Sequence, residues 1–438
     1  MTSPTALPIQ NSLKIAVIGS GIAGIATAWL LGERHEVTLF EKNSYLGGHT
    51  HTHTLADAAQ TVAVDTGFIV FNRPNYPHLT GLLAHLDIPT QPTEMSFGVS
   101  LDQGRMEYGG SDLSTLFAQK SNLLRPRFLT MVQDILRFNR AGKAMLIEAK
   151  KCATRAESAE SLGDFLDRLK LGAGLREDYL LPMAAAIWSC PPQIMLKFPA
   201  LSFLQFFENH GLMNVQDRPQ WETIQGGSNR YVEALRQANR FTAVTDSPIA
   251  QVIRGDGGVF LPQINQHFDA CVFASHADET LAMLAEPDAR ENEILGAFQF
   301  QENTVYLHND LDLMPKRRKV WSSWNYLGRT KTAQTRAVAV TYWMNHLQNL
   351  STSTPWLVTL NPFSPPRAEL TRQRITYHHP VFDAHTHAAQ AALPSLQGHR
   401  QCYYAGAWTG FGFHEDGLRS AVNVAAKFGI TPPWEPPA

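Results

Sequence analysis

One stretch, residues 13–41, constrains this 438-residue chain more than any other: LKIAVIGSGIAGIATAWLLGERHEVTLFE. It opens on an apolar run, Ile15-Ala16-Val17-Ile18, which suits a buried parallel strand. A complete G-x-G-x-x-G follows, Gly19-Ser20-Gly21-Ile22-Ala23-Gly24. An apolar helical segment (residues 25–31) and a second strand (residues 37–40) come next, and the strand ends at Glu41. Gly19 allows the tight strand-to-helix turn, Gly21 lets a pyrophosphate approach the backbone, and Gly24 lets helix and strand pack closely. The helix N-terminus offers free N–H groups and a positive dipole end to phosphate. Glu41 lies 22 residues after Gly19, close to the spacing at which an acid meets the ribose hydroxyls. Strand, helix, strand and acid in register predict a dinucleotide site. An acid at the ribose favours NAD or FAD over NADP.

The next residues separate these two cofactors. Glu41-Lys42 leads through a short spacer to Gly47-Gly48-His49. An acid, a spacer and Gly-Gly resemble the extended signature of the flavin amine oxidase and phytoene desaturase superfamily. His49 stands where that family usually has arginine. The resemblance implies non-covalent FAD, a Rossmann-like domain and a separate substrate domain. It also assigns cofactor contacts to Gly19, Gly21, Ile22, Ala23, Gly24, Glu41, Lys42, Gly47, Gly48 and His49.

Further segments extend the resemblance over nearly the whole chain. Val62-Ala63-Val64-Asp65-Thr66-Gly67-Phe68 resembles the strand that passes the flavin, which adds Thr66, Gly67 and Phe68. Residues 92–110 read as two paired strands joined at Asp102-Gln103-Gly104. About a hundred residues from Leu113 carry helical periodicity, which resembles a helical cap over a substrate channel. Gln225-Gly226-Gly227 resembles the return to the flavin domain. Residues 244–252, with Ile249 as the contact, resemble the adenine-side strand, and residues 268–275, with Ala274, the sheet-closing one. Candidate strands of an antiparallel substrate sheet lie at residues 304–308, 321–326, 338–344 and 356–360, and a helix at 382–393 leads back. The tail, Pro432-Pro433-Trp434-Glu435-Pro436-Pro437, reads as a loose end.

The second anchor runs Cys402-Tyr403-Tyr404-Ala405-Gly406-Ala407-Trp408-Thr409-Gly410-Phe411-Gly412-Phe413-His414-Glu415-Asp416-Gly417-Leu418-Arg419-Ser420-Ala421. It resembles the C-terminal flavin motif, in which a helix N-terminus stabilises negative charge on the reduced ring. That adds Gly406, Ala407, Trp408, Gly417, Leu418 and Ser420 to the cofactor set. The helix is expected to start near Gly417. Ala407 stands where relatives commonly carry an acid. His414, Glu415 and Asp416 are either catalytic, or else Asp416 caps the helix while the other two are solvated.

The expected class is therefore α/β (α+β overall). A Rossmann-like FAD-binding domain is assembled from residues 1–72, 216–284 and 396–438. A substrate domain of antiparallel sheet and helical cap takes 73–215 and 285–395. Amine oxidases of this superfamily use a lysine near the flavin. The strand where it is sought, GAFQFQENTVYLHND, has none, and His308 is its only basic residue. The spacing from Gly406 to Ala421 is closer to carotenoid desaturases. Tyr342-Trp343-Met344-Asn345 and His379-Pro380-Val381-Phe382 resemble a bacterial subgroup of predicted NAD/FAD-binding proteins associated with fatty-acid modification. The resemblance implies a lipid-linked FAD oxidoreductase that removes hydride from a hydrophobic substrate. Flavin amine oxidase and non-redox FAD isomerase are the alternatives. His414, Glu415 and Tyr342 are the catalytic candidates, and Trp324, His378 and His379 join them as pocket candidates.

Composition narrows the partners. The formal charge is −2, which leaves no electrostatic footprint for nucleic acid. The 23 Phe suit an apolar channel. The four cysteines, Cys152, Cys190, Cys271 and Cys402, form no C-x-x-C and fit a reducing compartment. The N-terminus has no secretory pattern, and no apolar run reaches the ~18 residues needed to span a bilayer. The expectation is a cytoplasmic protein, with peripheral membrane contact left open. His49, His51 and His53 alternate on one strand face; no acidic or thiol ligand accompanies them, so no metal site is assigned.

Overall fold

The computed structural model describes residues 12–57, 60–151, 160–188, 195–214, 219–255, 257–330 and 336–434. Cys152, Cys190 and the last residues of the proline-rich tail lie outside them. The chain forms two compact units. One comprises residues 1–48, 231–296 and 390–438, and the other residues 49–230 and 297–389.

The first unit is built on a five-stranded parallel sheet. Its order is Thr242–Val244, Glu36–Phe40, Lys14–Ile18, Ala270–Phe273, Cys402–Tyr404. The apolar run of the first motif forms the central strand, buried on both faces as its composition requires. Helix Ile22–Leu31 is buried along its whole length, so it is apolar all round rather than amphipathic. Strands drawn from both ends and the middle of the chain thus lie side by side. The tail is anchored as far as Trp434, which stacks on Trp29 with ring centroids 6.2 Å apart; the rest of the loose end expected from its prolines lies outside the described residues.

A three-stranded antiparallel sheet, Ile253–Gly255, Gly258–Leu261 and Gln266–Phe268, completes this unit. It is tied down by a buried ion pair. Arg254 and Glu291 have side chains 1% and 0% exposed and meet in direct contact. Arg254 Nη2 also donates to the Glu286 carbonyl at 2.6 Å. Glu291 accepts from the Asp288 amide at 2.9 Å and from the Tyr404 hydroxyl at 3.2 Å. Breaking such a pair leaves an uncompensated buried charge. Arg254→Met is expected to cost about 3–5 kcal/mol, read as a lowered urea midpoint. The double replacement Arg254→Met with Glu291→Leu should recover most of it.

The second unit holds a seven-stranded mixed sheet in the order Thr371–Val381, Gln299–His308, Leu357–Leu360, Arg336–Trp343, Trp324–Thr330, Phe97–Leu101, Met106–Gly109. The two strands expected around Asp102 pair antiparallel, with Asp102 and Gln103 at positive φ in the turn. The helical region is present from Leu113–Leu116 through Ala200–Asn209 and includes the 26-residue helix Pro126–Lys151. The helix expected over 382–393 runs Ala384–Ala392. No helix among the described residues is long and apolar enough to cross a membrane.

Candidate functional site

In the first unit the two glycine-rich motifs meet. The turn after the first strand is too tight for side chains. Gly19 has φ +100°, and a Cβ there would stand 2.8 Å from the Ala274 carbonyl oxygen. A Cβ on Gly24 would lie 1.8 Å from the Gly19 carbonyl oxygen. Gly21 caps the helix and differs from both, because a Cβ there would meet nothing within 4 Å. Gly47 bridges to Gly21 and donates its amide to the Ser20 carbonyl at 3.1 Å. A Cβ on Gly48 would approach the Gly21 Cα to 3.1 Å.

The C-terminal motif closes on the same place. A Cβ on Gly417 would lie 2.7 Å from Ile22 Cγ2 and 3.8 Å from the Ala23 amide. Two helix N-terminal turns therefore abut, and their N–H groups and dipole ends add. Ser420 Oγ accepts from the Gly406 amide at 2.9 Å and donates to the Gly417 carbonyl at 2.6 Å. Trp408 donates its indole N–H to the Ser275 carbonyl at 3.1 Å. Ala407, Leu418 and Ile249 belong to this same unit, with Leu418 and Ile249 buried.

Glu41 is 6% exposed and already engaged on both oxygens. One accepts from the Ser20 amide and hydroxyl at 2.9 and 2.7 Å. The other accepts from the Asn43 amide and side chain at 2.9 and 2.7 Å. Four donors fill the four lone-pair directions of a carboxylate. A ribose hydroxyl must therefore displace one of them or share it. Lys42 is spent elsewhere, in a surface pair with Glu279 at 2.6 Å.

The last helix starts at His414, three residues before the expected Gly417. Phe413 is the N-cap. Asp416 is not the N-cap; it lies inside the first turn and accepts from the Phe411 and Phe413 amides at 3.0 Å each. Burial raises its carboxyl, against the nearby Arg419 and those amides. Glu415 is 4% exposed, which rules out the solvated alternative for it. His414 Nε2 is 2.7 Å from the Tyr231 hydroxyl. Burial pulls this histidine down to about 3, so it is neutral at physiological pH. Tyr231 has no sequence signature and was not foreseen.

His49, Thr66, Gly67, Phe68 and Tyr342 lie in the second unit. A Cβ on Gly67 would stand 2.2 Å from the His49 carbonyl oxygen, and Phe68 donates its amide to that oxygen at 2.8 Å. Thr66 Oγ1 donates to the His51 carbonyl at 3.1 Å and lies 2.9 Å from the Tyr377 hydroxyl. Tyr377 OH is also 3.2 Å from His51 Nδ1. Donor counting closes this ring: His51 Nδ1–H donates to Tyr377, Tyr377 to Thr66, and Thr66 to the His51 carbonyl. Burial, then His53, pulls His51 down to about 4, which keeps it neutral. His49 stacks on Tyr377 at 4.6 Å and lies 5.2 Å from the His379 ring. Two of the three alternating histidines, His49 and His51, thus meet Tyr377 of strand Thr371–Val381, and His53 packs on His51 with ring centroids 4.2 Å apart. Alternation places Tyr377 and His379 on one face of that strand, a signal that could have found Tyr377.

Tyr342 and Trp324 are register partners on neighbouring strands and pack edge to face at 5.0 Å. They belong to a buried apolar cluster that includes Ile69 and has Met95, Phe97 and Trp221 packed against it. The Trp324 indole N–H is buried with no partner among the described residues. His308 has a structural role. Its Nδ1 accepts from the Asp310 amide at 3.0 Å, so its Nε2 donates to Thr359 Oγ1 at 2.7 Å.

Asp65, in the strand before Thr66, is fully buried. Its carboxylate accepts from the Thr52 hydroxyl at 2.5 Å, the Ser228 amide at 3.0 Å and hydroxyl at 2.8 Å, and Gln348 Nε2 at 2.8 Å. Burial pushes it from 3.8 up to about 6 against these donors. A folded pKa above the unfolded one gives stability that is full below 3.8 and lost as pH rises through about 6. Asp65→Asn turns an amide toward donors, so it should cost about 1–3 kcal/mol at pH 7. The gap to wild type should widen by on the order of 2 kcal/mol as pH falls from 7 to 4, measured by urea denaturation at each pH.

Comparison with known proteins places these features. A model of NAD(P)-binding Rossmann-like domains matches residues 17–86. Over 282 residues the chain is 29% identical to carotenoid phi-ring synthase of Streptomyces griseus, covering 59% of this chain and 52% of that protein. The chain thus spans about half the length of this curated relative. Among solved structures, a CLA-producing fatty acid isomerase from P. acnes superposes with TM-score 0.67 at 14% identity, over 97% of this chain and 100% of that one. Putrescine oxidase bound to putrescine gives 0.65 at 14% identity, over 95% and 99%. Cyclohexylamine oxidase from Brevibacterium oxydans gives 0.65 at 15%, over 95% and 100%. At these identities the likeness is one of fold. The chain therefore carries a NAD(P)-binding Rossmann-like domain and shares the fold of this fatty acid isomerase and these amine oxidases.

Proposed function

We propose that the protein is a FAD-dependent oxidoreductase acting on a hydrophobic, lipid-like substrate. The observation that carries the cofactor is the open space above Gly21, bordered by Gly47, Gly48 and the abutting N-terminal turns of two helices. Such a place suits a ligand that brings an anion such as phosphate against backbone N–H groups. The residues present fit FAD bound without a covalent link. Residues 19–24 would hold the pyrophosphate, Glu41 the ribose, and the turn at residues 414–418 the flavin end. Bound FAD would supply a two-electron acceptor for hydride from an activated C–H of the substrate.

The chain's own residues orient and exclude water. The Tyr342–Trp324 cluster supplies apolar side chains with one unpartnered buried donor, the Trp324 indole N–H. That suits a long apolar substrate with one polar group better than a diamine. The neutral His51–Tyr377–Thr66 ring of the second unit holds its protons at defined atoms without adding charge there, and the neutral His414–Tyr231 pair does the same within the first unit. His308 has both ring nitrogens committed, so it does not replace the lysine of amine oxidases. The carotenoid-ring synthase match supports a hydrophobic substrate. Peripheral contact with a membrane belongs to the same reading, because such substrates reside there.

The fold shared with a fatty acid isomerase supports a second reading, double-bond isomerisation without net oxidation. One experiment separates them. The FAD-loaded protein is mixed anaerobically with fatty acids, carotenoids or amines, and absorbance near ~450 nm is followed. Bleaching by a lipid supports hydride removal. Bleaching by amines alone would contradict it, and isomerised product without bleaching would establish the second reading.

A further inference from the structure

Exposed apolar side chains cluster in one part of the second unit. Nine large hydrophobic residues are exposed among the described residues, and six of them lie between positions 113 and 147. These are Leu113, Leu123, Leu124, Leu129, Leu136 and Ile147, with Leu124 at 86% and Leu113 at 74% exposure. The last three belong to helix Pro126–Lys151.

That helix has two distinct faces. Phe128, Met131, Phe138, Gly142 and Leu146 are buried, and a Cβ on Gly142 would press on Leu204 and Met213. At about 100° per residue, Leu129, Leu136, Arg140 and Ile147 fall within about 40° of each other on the outer face. Lys143, Lys150 and Lys151 flank this ridge within about 60°. The helix has two acids. Asp134 is buried and paired with Arg137, and Glu148 lies about 100° around from Leu129. The exposed ridge is therefore apolar and basic, with no carboxylate on it. Just before the helix, the short turn Lys120–Leu124 adds Leu123, Leu124 and an exposed lysine.

We propose that this ridge is the surface by which the protein docks on an anionic lipid bilayer. The assignment rests on the lipid-substrate reading above and adds the face that makes the contact. Leucines amid lysine and arginine suit the headgroup boundary, where apolar chains insert and cations meet anionic lipid. A second copy of the chain fits less well. A two-fold pair formed through this ridge would set one basic ridge against another, with no carboxylate on either ridge to pair with the cations. Docking is peripheral, since no described helix can cross the membrane.

The test uses the full chain and sedimentation with vesicles of phosphatidylcholine, with or without phosphatidylglycerol. Binding is expected on the anionic vesicles and should weaken with salt. The variant L129Q/L136Q/I147Q should bind at least about tenfold more weakly. The variant R140Q/K150Q/K151Q should lose on the order of 100-fold on anionic vesicles only. Glutamine keeps helix propensity, and an unchanged thermal transition shows that each variant folds. No binding to either vesicle, or binding that neither variant weakens, would overturn the proposal. So would a concentration-dependent dimer abolished by the leucine variant, which would assign the ridge to a second copy. Vesicle binding is read without turnover. A protein that docks through the ridge but is never reduced by lipid would overturn the substrate reading and leave this surface standing.

Discussion

Gly21→Leu is expected to give a folded protein that purifies without flavin and retains FAD at least on the order of 100-fold more weakly than wild type. The reasoning is local. Gly21 has φ −58° and ψ 177°, a conformation that leucine adopts without strain. A Cβ there meets no protein atom within 4 Å. The side chain therefore starts into open space in the unliganded protein, and its stability is expected to change by less than about 1 kcal/mol. The leucine would occupy the space through which a pyrophosphate reaches the helix N-terminus. Equilibrium titration with FAD and thermal unfolding of the unliganded protein check the two halves separately. Undiminished flavin retention would remove the phosphate site from this turn.

Gly24→Ala should do the opposite and damage the fold itself. One methyl group would stand 1.8 Å from the Gly19 carbonyl oxygen and 3.0 Å from Ala274 Cβ. The first contact is with backbone, so no side chain can swing away. The helix must lift from the central strand, and the cost is about 3 kcal/mol or more. The same lift moves Ile22 and Ala23, which support the Gly417 turn of the second motif. Lower thermal stability and weaker flavin retention should therefore appear together. Two adjacent glycines of one motif are thus expected to fail differently, one in ligand binding and one in folding.

The βαβ unit was legible because its signals are local. The apolar run, the three glycines and the acid stand at fixed offsets, and the structure pairs the strands in the expected parallel register. The order of the remaining strands was only partly legible. Residues 242–244, 270–273 and 402–404 join one sheet although some 130 residues separate the last two. Only a resemblance to whole-chain relatives pointed to that. The start of the last helix was misplaced because Gly417 looks like a boundary. Asp416 instead ties the Phe411 and Phe413 amides from within the first turn, which extends the helix to His414.

The polar networks were the least legible. Asp65 lay in a recognised segment, but its donors come from residues 52, 228 and 348, which no spacing rule connects. Tyr231 and Tyr377 are single tyrosines whose importance comes from the histidines they meet in space. Trp324 and Tyr342 lie in different stretches of the sequence, and sheet register makes them neighbours.

The central claim is that the two glycine-rich motifs together hold one FAD. The most direct measurement is the visible spectrum and flavin content of the full chain after reconstitution with FAD and gel filtration, followed by acid precipitation. The account predicts one flavin per chain, with all of it released into the supernatant as unmodified FAD. A protein that carries no flavin after reconstitution, although folded, would contradict it.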